Sequence, residues 1–322
     1  MKLVEATNEN IIDAAETIKS GGLVAFPTET VYGLGTDGLN PIAVAKIFEV
    51  KKRPAFNPLI LHISDFEQFE IIGNLNNPNI HKLISKFWPG PLTLVVPKKE
   101  IVPDIVTAGH PTVAIRMPNH PVALELIRKS NTPIAAPSAN AFSKLSPTCA
   151  EHVVKQLGDK VDIILDGGKC QVGVESTILH VTEKDVRLLR PGGLAIEDIE
   201  KVIGKLAVGE PSTDSPLAPG QLPYHYAPQT PLRFINKADT LNIKNLRVGV
   251  LVFKKNTYKY NFTEERVLSP SGDLREAAAN LFSFLHELEN ENLDLILVEP
   301  IEEVGLGKAI MDRLRKAAKK FK

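Results

Sequence analysis

Short apolar runs rich in valine, isoleucine and leucine recur along the first two thirds of the chain, separated by stretches with helical spacing. Ile11, Ile12, Ala15 and Ile18 fall on one helical face behind a candidate cap at Asn8, and Gly21 and Gly22 stop the turn. LVAFP at 23–27 reads as a buried strand ended by proline. Asn40 and Pro41 then cap the helix AVAKIFEV, and Pro54 closes the basic stretch behind it. PLILHI (58–63), LTLVV (92–96), TVAIRM (112–117), PIAA (133–136), VDIILD (161–166), STILHV (176–181) and VRLLR (186–190) continue the series of predicted strands. Strands interleaved with helices predict an α/β domain over residues 1–205, its sheet covered on at least one face.

The pattern breaks at EPSTDSPLAPGQLPYHYAPQTP (210–231), too rich in proline for helix or central strand. Residues 206–231 therefore read as a linker, and so long a structureless stretch is usually disordered or functional. Its Tyr224, His225 and Tyr226 favour the second, because aromatic residues are scarce in entropic spacers. RVGVLVF (247–253), REAAANLFSFLHELEN (275–290), LDLILVEP (293–300) and a helix through GLGKAIMDRLRKAAKKF predict a smaller α/β domain over 232–322, with two strands and two helices.

Two domains also suit the length of 322 residues, since single cores seldom grow past about 250. The 38 basic residues balance 38 acidic ones, which argues against a surface built to coat a polyanion and leaves any nucleic-acid contact local. Cys149 and Cys170 lack the close Cys/His neighbours of a zinc site and read as plain buried thiols. The first residues have neither the basic region nor the apolar core of a signal peptide, and no apolar run approaches the roughly 20 residues that span a bilayer. A cytoplasmic protein without membrane insertion is the expectation.

Gly33, Gly35 and Gly38 spell G-x-G-x-x-G in what the pattern predicts as a turn between strand and helix. A nicotinamide dehydrogenase would also need an acid about 20 residues on to hold a ribose, and none is there. Neither a phosphate-cradling P-loop nor a G-x-S-x-G nucleophile occurs. Lys51, Lys52 and Arg53 gather at a helix end, where cations usually face solvent and favour the macrodipole. Pro54 and Pro58 nevertheless pin the backbone beside them, as a polyphosphate clamp would need. Ser138 and Asn140 emerge beyond a strand's carboxyl end, either as a ligand loop or as a self-bonded turn. Arg116 and Arg190 sit in apolar strands and each requires a buried anionic partner, a ligand or an internal acid. His62 on its strand could meet a substrate or simply bond a backbone carbonyl.

Together, FPTETVYGLG (26–35), KKRPAFNPLILHI (51–63), FWPGPLTLVV (87–96), TVAIRMP (112–118), APSAN (136–140), SPT (146–148), VGVESTI (172–178) and LLRPG (188–192) resemble the YrdC-type threonylcarbamoyl-adenylate synthases. PGQLPYHYAP (219–228) and GLGKAIMDRLRKAA (305–318) are similar to the linker and closing segment of the long form. The resemblance implies a twisted mixed sheet with helices followed by a Rossmann-like domain. It implies a nucleotidyltransferase that joins ATP, L-threonine and bicarbonate or CO2, with Mg2+ accompanying ATP, and hands its product to machinery that modifies tRNA. By the same resemblance Lys51, Arg53, Asn57, Ser138, Asn140, Ser146, Arg190 and Tyr226 would surround ATP, with Lys51 and Arg53 carrying catalysis. Thr28, His62, Thr112, Arg116 and Ser176 would form the threonine pocket, with Arg116 on the amino-acid carboxylate, and no protein metal ligands are expected. The chain departs from the family at Lys52, which usually is glycine, and at Pro223-Tyr224, which usually is tyrosine-arginine. An RNA-binding module without ATP turnover is the alternative, and it predicts salt-sensitive RNA affinity.

Overall fold

A computed structural model describes residues 1–74, 77–208, 216–235, 243, 245–258 and 260–321. The chain begins with β1 (Lys2–Glu5), α1 (Asn8–Lys19), β2 (Val24–Phe26), β3 (Gly33–Asp37), α2 (Pro41–Lys51), β4 (Ile60–His62), α3 (Phe66–Ile72) and α4 (Pro78–Phe87). It continues through β5 (Leu92–Pro97), α5 (Asp104–Thr107), β6 (Thr112–Arg116), α6 (Pro121–Ser130), β7 (Ile134–Ala135) and α7 (Ala150–Leu157). The first domain closes with β8 (Ile163–Asp166), β9 (Thr177–Val181), β10 (Val186–Arg190), α8 (Ile196–Ile203) and β11 (Ala207–Val208). These strands form one 11-stranded mixed sheet, ordered β1-β8-β2-β3-β7-β4-β6-β5-β9-β10-β11.

Local signals place several element ends. Asn40 Oδ1 accepts from the amides of Ile42 and Ala43 behind Pro41, the cap and first-turn proline the sequence predicts. At α1 the cap is Thr7, one residue before Asn8, its hydroxyl accepting from Asn10 N. The glycine motif is not a turn. Gly33 to Asp37 is a buried strand paired antiparallel with β2, and a Cβ at Gly35 would lie 2.7 Å from the Phe26 ring and 2.6 Å from Ile134. The glycines there let the Phe26 ring approach the strand closely, and the motif itself forms no dinucleotide loop.

The second domain holds β12 (Leu232–Phe234), β13 (Val248–Val252), β14 (Glu264–Val267), α9 (Leu274–Glu289), β15 (Leu295–Val298) and α10 (Gly307–Lys319). Its four parallel strands run in the order β12-β15-β13-β14, so the two expected strands gain two neighbours. Residues 209–215 of the expected linker lie outside the described residues. From Leu217 onward the linker lies against both domains. Ala227 N donates to Ser143 O in the first domain, and His225 N donates to Lys316 O on α10. Among the described residues no helix is long and apolar enough to cross a membrane.

Candidate active site

A cleft opens beside β2, β4 and β6, lined by Thr28, Arg53, His62 and Arg116 on its walls and roofed by Pro219, Gly220, His225 and Tyr226. Ser138, Glu175, Ser176 and Arg190 also line it. Sheet register brings His62 and Arg116 together, because β4 and β6 run parallel with these two residues as direct partners. Ser176 lies just before β9 and Arg190 ends β10, and the antiparallel pairing of these strands sets them face to face.

Arg190 clamps its surroundings. Nε and Nη2 donate to Ser176 O at 3.2 and 2.8 Å, Nη2 also reaches Ser176 Oγ, and Nη1 donates to Pro219 O in the roof at 3.1 Å. Ser176 Oγ meets Thr93 Oγ1 at 2.8 Å. The roof is tight at Gly220, where φ is +85° and a Cβ would stand 2.6 Å from the Tyr226 hydroxyl and 2.9 Å from Arg190 Cδ. Only glycine combines that backbone with such an approach.

The basic helix end is buried. Lys51 is 3% exposed, its ammonium donating to Ser138 O at 2.6 Å and also to Asn140 O. Arg53 Nε and Nη2 donate to Asn57 O, Asn57 Oδ1 and Pro58 O. Lys52 alone turns outward, at φ +51°, the left-handed cap that explains why glycine is usual at this position. No carboxylate pairs with Lys51, Arg53 or Arg190 among the described residues, whereas buried cations ordinarily take one. Burial, with Arg53 beside it, pushes Lys51 well below its ordinary value.

Arg116 is different, because its acid is internal. Nη2 lies 2.7 Å from Glu29 Oε1, within ion-pair reach though angled outside hydrogen-bond geometry, and both side chains are buried. Nη1 donates to Thr30 Oγ1 at 2.9 Å, and Nε reaches Gly90 O at 3.3 Å. Thr30 Oγ1 in turn meets Thr28 Oγ1 at 2.8 Å. Of the two partners the sequence left open for Arg116, a ligand or an internal acid, the internal one is present as Glu29.

Not every expected residue reaches the cleft wall. Thr112 stands four residues before Arg116 on β6, opposite Pro97, which puts it about 13 Å away along the strand. Asn57 and Ser146 lie behind the lining, the first braced on Arg53 and the second donating its hydroxyl to Glu175. Asn140 spends its amide on Ala141 O and Lys144 O, the self-bonded turn, and keeps a buried Oδ1 without a partner. Sequence reasoning passed over Glu175, Thr30, Gly220 and Arg313. The only available signal was that an acid flanking an apolar strand needs a buried cation, and sequence does not say which.

Among the described residues Glu175 is the one carboxylate lining the cleft. Burial would raise its carboxyl, but Arg313 and then Arg190 outweigh burial and hold it below the usual range. Among the described residues no group of three or more His, Cys, Asp or Glu gathers as a metal site.

Burial also keeps several imidazoles neutral. It lowers His62, with Arg116 adding to it, to about 3 and drives His225 well down. Where the domains meet, His152 and His286 stack at 3.8 Å, lowered by burial to about 4 and about 3. In the unfolded chain each binds a proton near pH 6.5, so between that value and the folded one the unfolded state holds more protons. Stability is therefore complete above about pH 7 and falls as pH drops below about 6.5, by up to about 1.4 kcal/mol per pH unit for each neutral imidazole. Melting temperature should fall steeply from pH 6.5 to 5. A flat profile there would mean that these rings carry protons in the folded protein.

Comparison with known proteins matches residues 16–192 to the Sua5/YciO/YrdC family profile, described as telomere recombination, and residues 194–319 to the threonylcarbamoyl-AMP synthase C-terminal domain. The chain is 46% identical over 315 residues to the threonylcarbamoyl-AMP synthase of Pyrococcus abyssi, covering 95% of this chain and 93% of that protein. It is 43% identical over 327 residues to that of Bacillus subtilis, covering 97% and 94%. The crystal structure of P. abyssi Sua5 complexed with L-threonine superposes with a TM-score of 0.90 at 43% identity, over 99% of this chain and 96% of that one. E. coli YciO, at 22% identity and a TM-score of 0.53, shares the fold of the first domain. Matched along nearly its whole length in both domains, the chain belongs to the Sua5/YciO/YrdC family in the two-domain form that carries the threonylcarbamoyl-AMP synthase C-terminal domain.

Proposed function

We propose that this chain is an L-threonylcarbamoyladenylate synthase that uses ATP, L-threonine and bicarbonate or CO2, supplying an intermediate for threonylcarbamoyladenosine in tRNA. The observation that carries the ATP assignment is the pair Arg53 and Arg190 on the cleft wall, with Lys51 buried behind Ser138, none of them in an ion pair with a carboxylate among the described residues. An incoming polyphosphate supplies the counter-charge that burial otherwise makes costly. Thr28, His62 and Ser176 line the same cleft within the fold that binds L-threonine in P. abyssi Sua5. Arg116 is assigned here to shaping that pocket together with Glu29 and Thr30. Overall neutrality and the enclosed placement of these cations speak against the RNA-binding alternative.

In the reaction the threonine amine adds to CO2 and loses a proton, giving a carbamate. A carbamate oxygen then attacks the α-phosphorus of ATP, the bond to the bridging oxygen breaks, and pyrophosphate leaves. Such transfer depends on positioning and charge neutralisation more than on a strong base, which suits a site with neutral imidazoles and fixed cations. Magnesium would travel with ATP, held by phosphates and water, since Glu175 is already engaged by Arg313 and Ser146. The roof at 219–226 would keep water from the mixed anhydride.

Purified protein with Mg2+ and ATP should release pyrophosphate only when threonine and bicarbonate are both present, and mass spectrometry should find threonylcarbamoyl-AMP. Deletion of 216–228 should shift the product towards AMP. Folded, ATP-binding protein that releases no pyrophosphate would overturn the assignment, and salt-sensitive RNA affinity would then be measured.

A further inference from the structure

Arg313 is the largest fully buried side chain among the described residues, at 1% exposure, yet it belongs to α10 at the end of the second domain. Its guanidinium crosses into the first domain. Nε donates to Glu175 Oε2 at 2.8 Å, and Nη1 donates to Pro191 O at 2.8 Å and to the adjacent Asp312 at 2.7 Å. Its guanidinium carbon lies over the Tyr226 ring in the cleft roof, 5.0 Å from the ring centre. One cation thus touches the cleft's single lining carboxylate, the segment that follows Arg190, and an aromatic of the linker.

The charge arithmetic gives this arrangement a consequence. A carboxylate on the wall of a cleft that presents Arg53 and Arg190 would repel a triphosphate, and low local dielectric would strengthen the repulsion. Glu175 does not stand alone. One of its oxygens is paired with Arg313 and the other accepts the Ser146 hydroxyl. That same hydrogen bond fixes Ser146, whose carbonyl oxygen accepts from His286 Nε2 on α9. Lys316, one turn beyond Arg313 on α10, donates to Gly220 O at 2.7 Å and steadies the roof beside the same site.

Resting on the synthase reading above, we propose that Arg313 is a positioning residue of the nucleotide site, supplied by the second domain, which neutralises Glu175 so that the cleft accepts the polyphosphate of ATP. The second domain is then a working part of the site as well as an anchor for the linker. Arg313 itself touches no substrate, so it acts on ATP only through Glu175 and the Ser146 hydroxyl that Glu175 orients.

The test is a double-mutant cycle on the full chain, reading KM for ATP, KM for threonine and kcat separately. Arg313→Gln should raise KM for ATP tenfold or more and move KM for threonine much less, while Arg313→Lys, which keeps the charge, should stay within about threefold of the parent. Adding Glu175→Gln should recover most of the loss. Glu175→Gln alone and the double variant should bind ATP alike, and this comparison holds even if Arg313→Gln alone fails to fold, since the double variant buries no unpaired charge. Arg313→Gln with an unchanged KM for ATP overturns the proposal. So does a double variant more than tenfold weaker for ATP than Glu175→Gln alone, since Arg313 would then act as scaffold. Direct ATP binding to the parent chain by calorimetry separates the two levels. A parent that neither binds nor turns over ATP removes the synthase reading and Arg313's role with it, whereas an active parent with a null cycle removes Arg313's role alone.

Discussion

An Arg53→Ala variant is expected to release pyrophosphate about 10²–10³-fold more slowly than the parent chain, the usual loss when one preorganised donor is taken from developing transition-state charge. Arg53 suits that role because its loop holds it still. Two of its three guanidinium nitrogens are fixed on Asn57 and Pro58, so the group is aimed before ATP arrives and loses little entropy on binding. Alanine also removes three internal hydrogen bonds, each worth about 0.5–1.5 kcal/mol net, so the melting temperature should fall while a cooperative transition persists. Arg53→Lys separates the contributions. It keeps the charge but not the fork, and should lie between the two. Turnover within threefold of the parent in a folded Arg53→Ala protein would remove Arg53 from the nucleotide site.

Arg116→Leu should destabilise the protein by about 3–5 kcal/mol, because it leaves Glu29 buried without its cation. Glu29 and Arg116 are 6% and 4% exposed, so water cannot easily stand in for the missing partner. The loss should be read as a shift in the urea midpoint. Glu29→Gln combined with Arg116→Leu should regain much of it, since an amide is far cheaper to bury than a carboxylate. A single Arg116→Leu variant within 1 kcal/mol of the parent would show that Glu29 takes up a proton or reaches solvent, and that the pair does not hold the pocket wall.

The local grammar of the chain was readable. Asn40 followed by Pro41 starts α2 as predicted, and the apolar runs at 92–96, 112–117 and 186–190 became strands β5, β6 and β10. These features depend on neighbours within a few residues, which a sequence states directly. β12 and β14 escaped notice for the same reason. LRF and EERV carry too little apolar signal of their own, and pairing with β15 and β13 makes them strands. The glycines of 33–38 show the limit from the other side. Their spacing suggests a ligand turn, and only the Phe26 ring lying against them reveals a packing requirement.

For the site, sequence alone supplied the cationic residues and, by resemblance, their chemistry. It determined that Arg116 and Arg190, set in apolar strands, needed anionic or polar company, because burying charge without it is costly whatever the fold, and it left Lys51 and Arg53 between solvent and a clamp. Tertiary structure decided whose company each one keeps. Glu29 takes Arg116 from 87 residues away, Thr112 is carried to the far end of its strand, and Arg313 arrives from the other domain to take Glu175. Lys51, Arg53 and Arg190 bond only neutral oxygens among the described residues, which is what the proposed nucleotide site draws on. Pairing of charges in a folded chain is settled by distance and exclusion of water, and sequence separation carries neither.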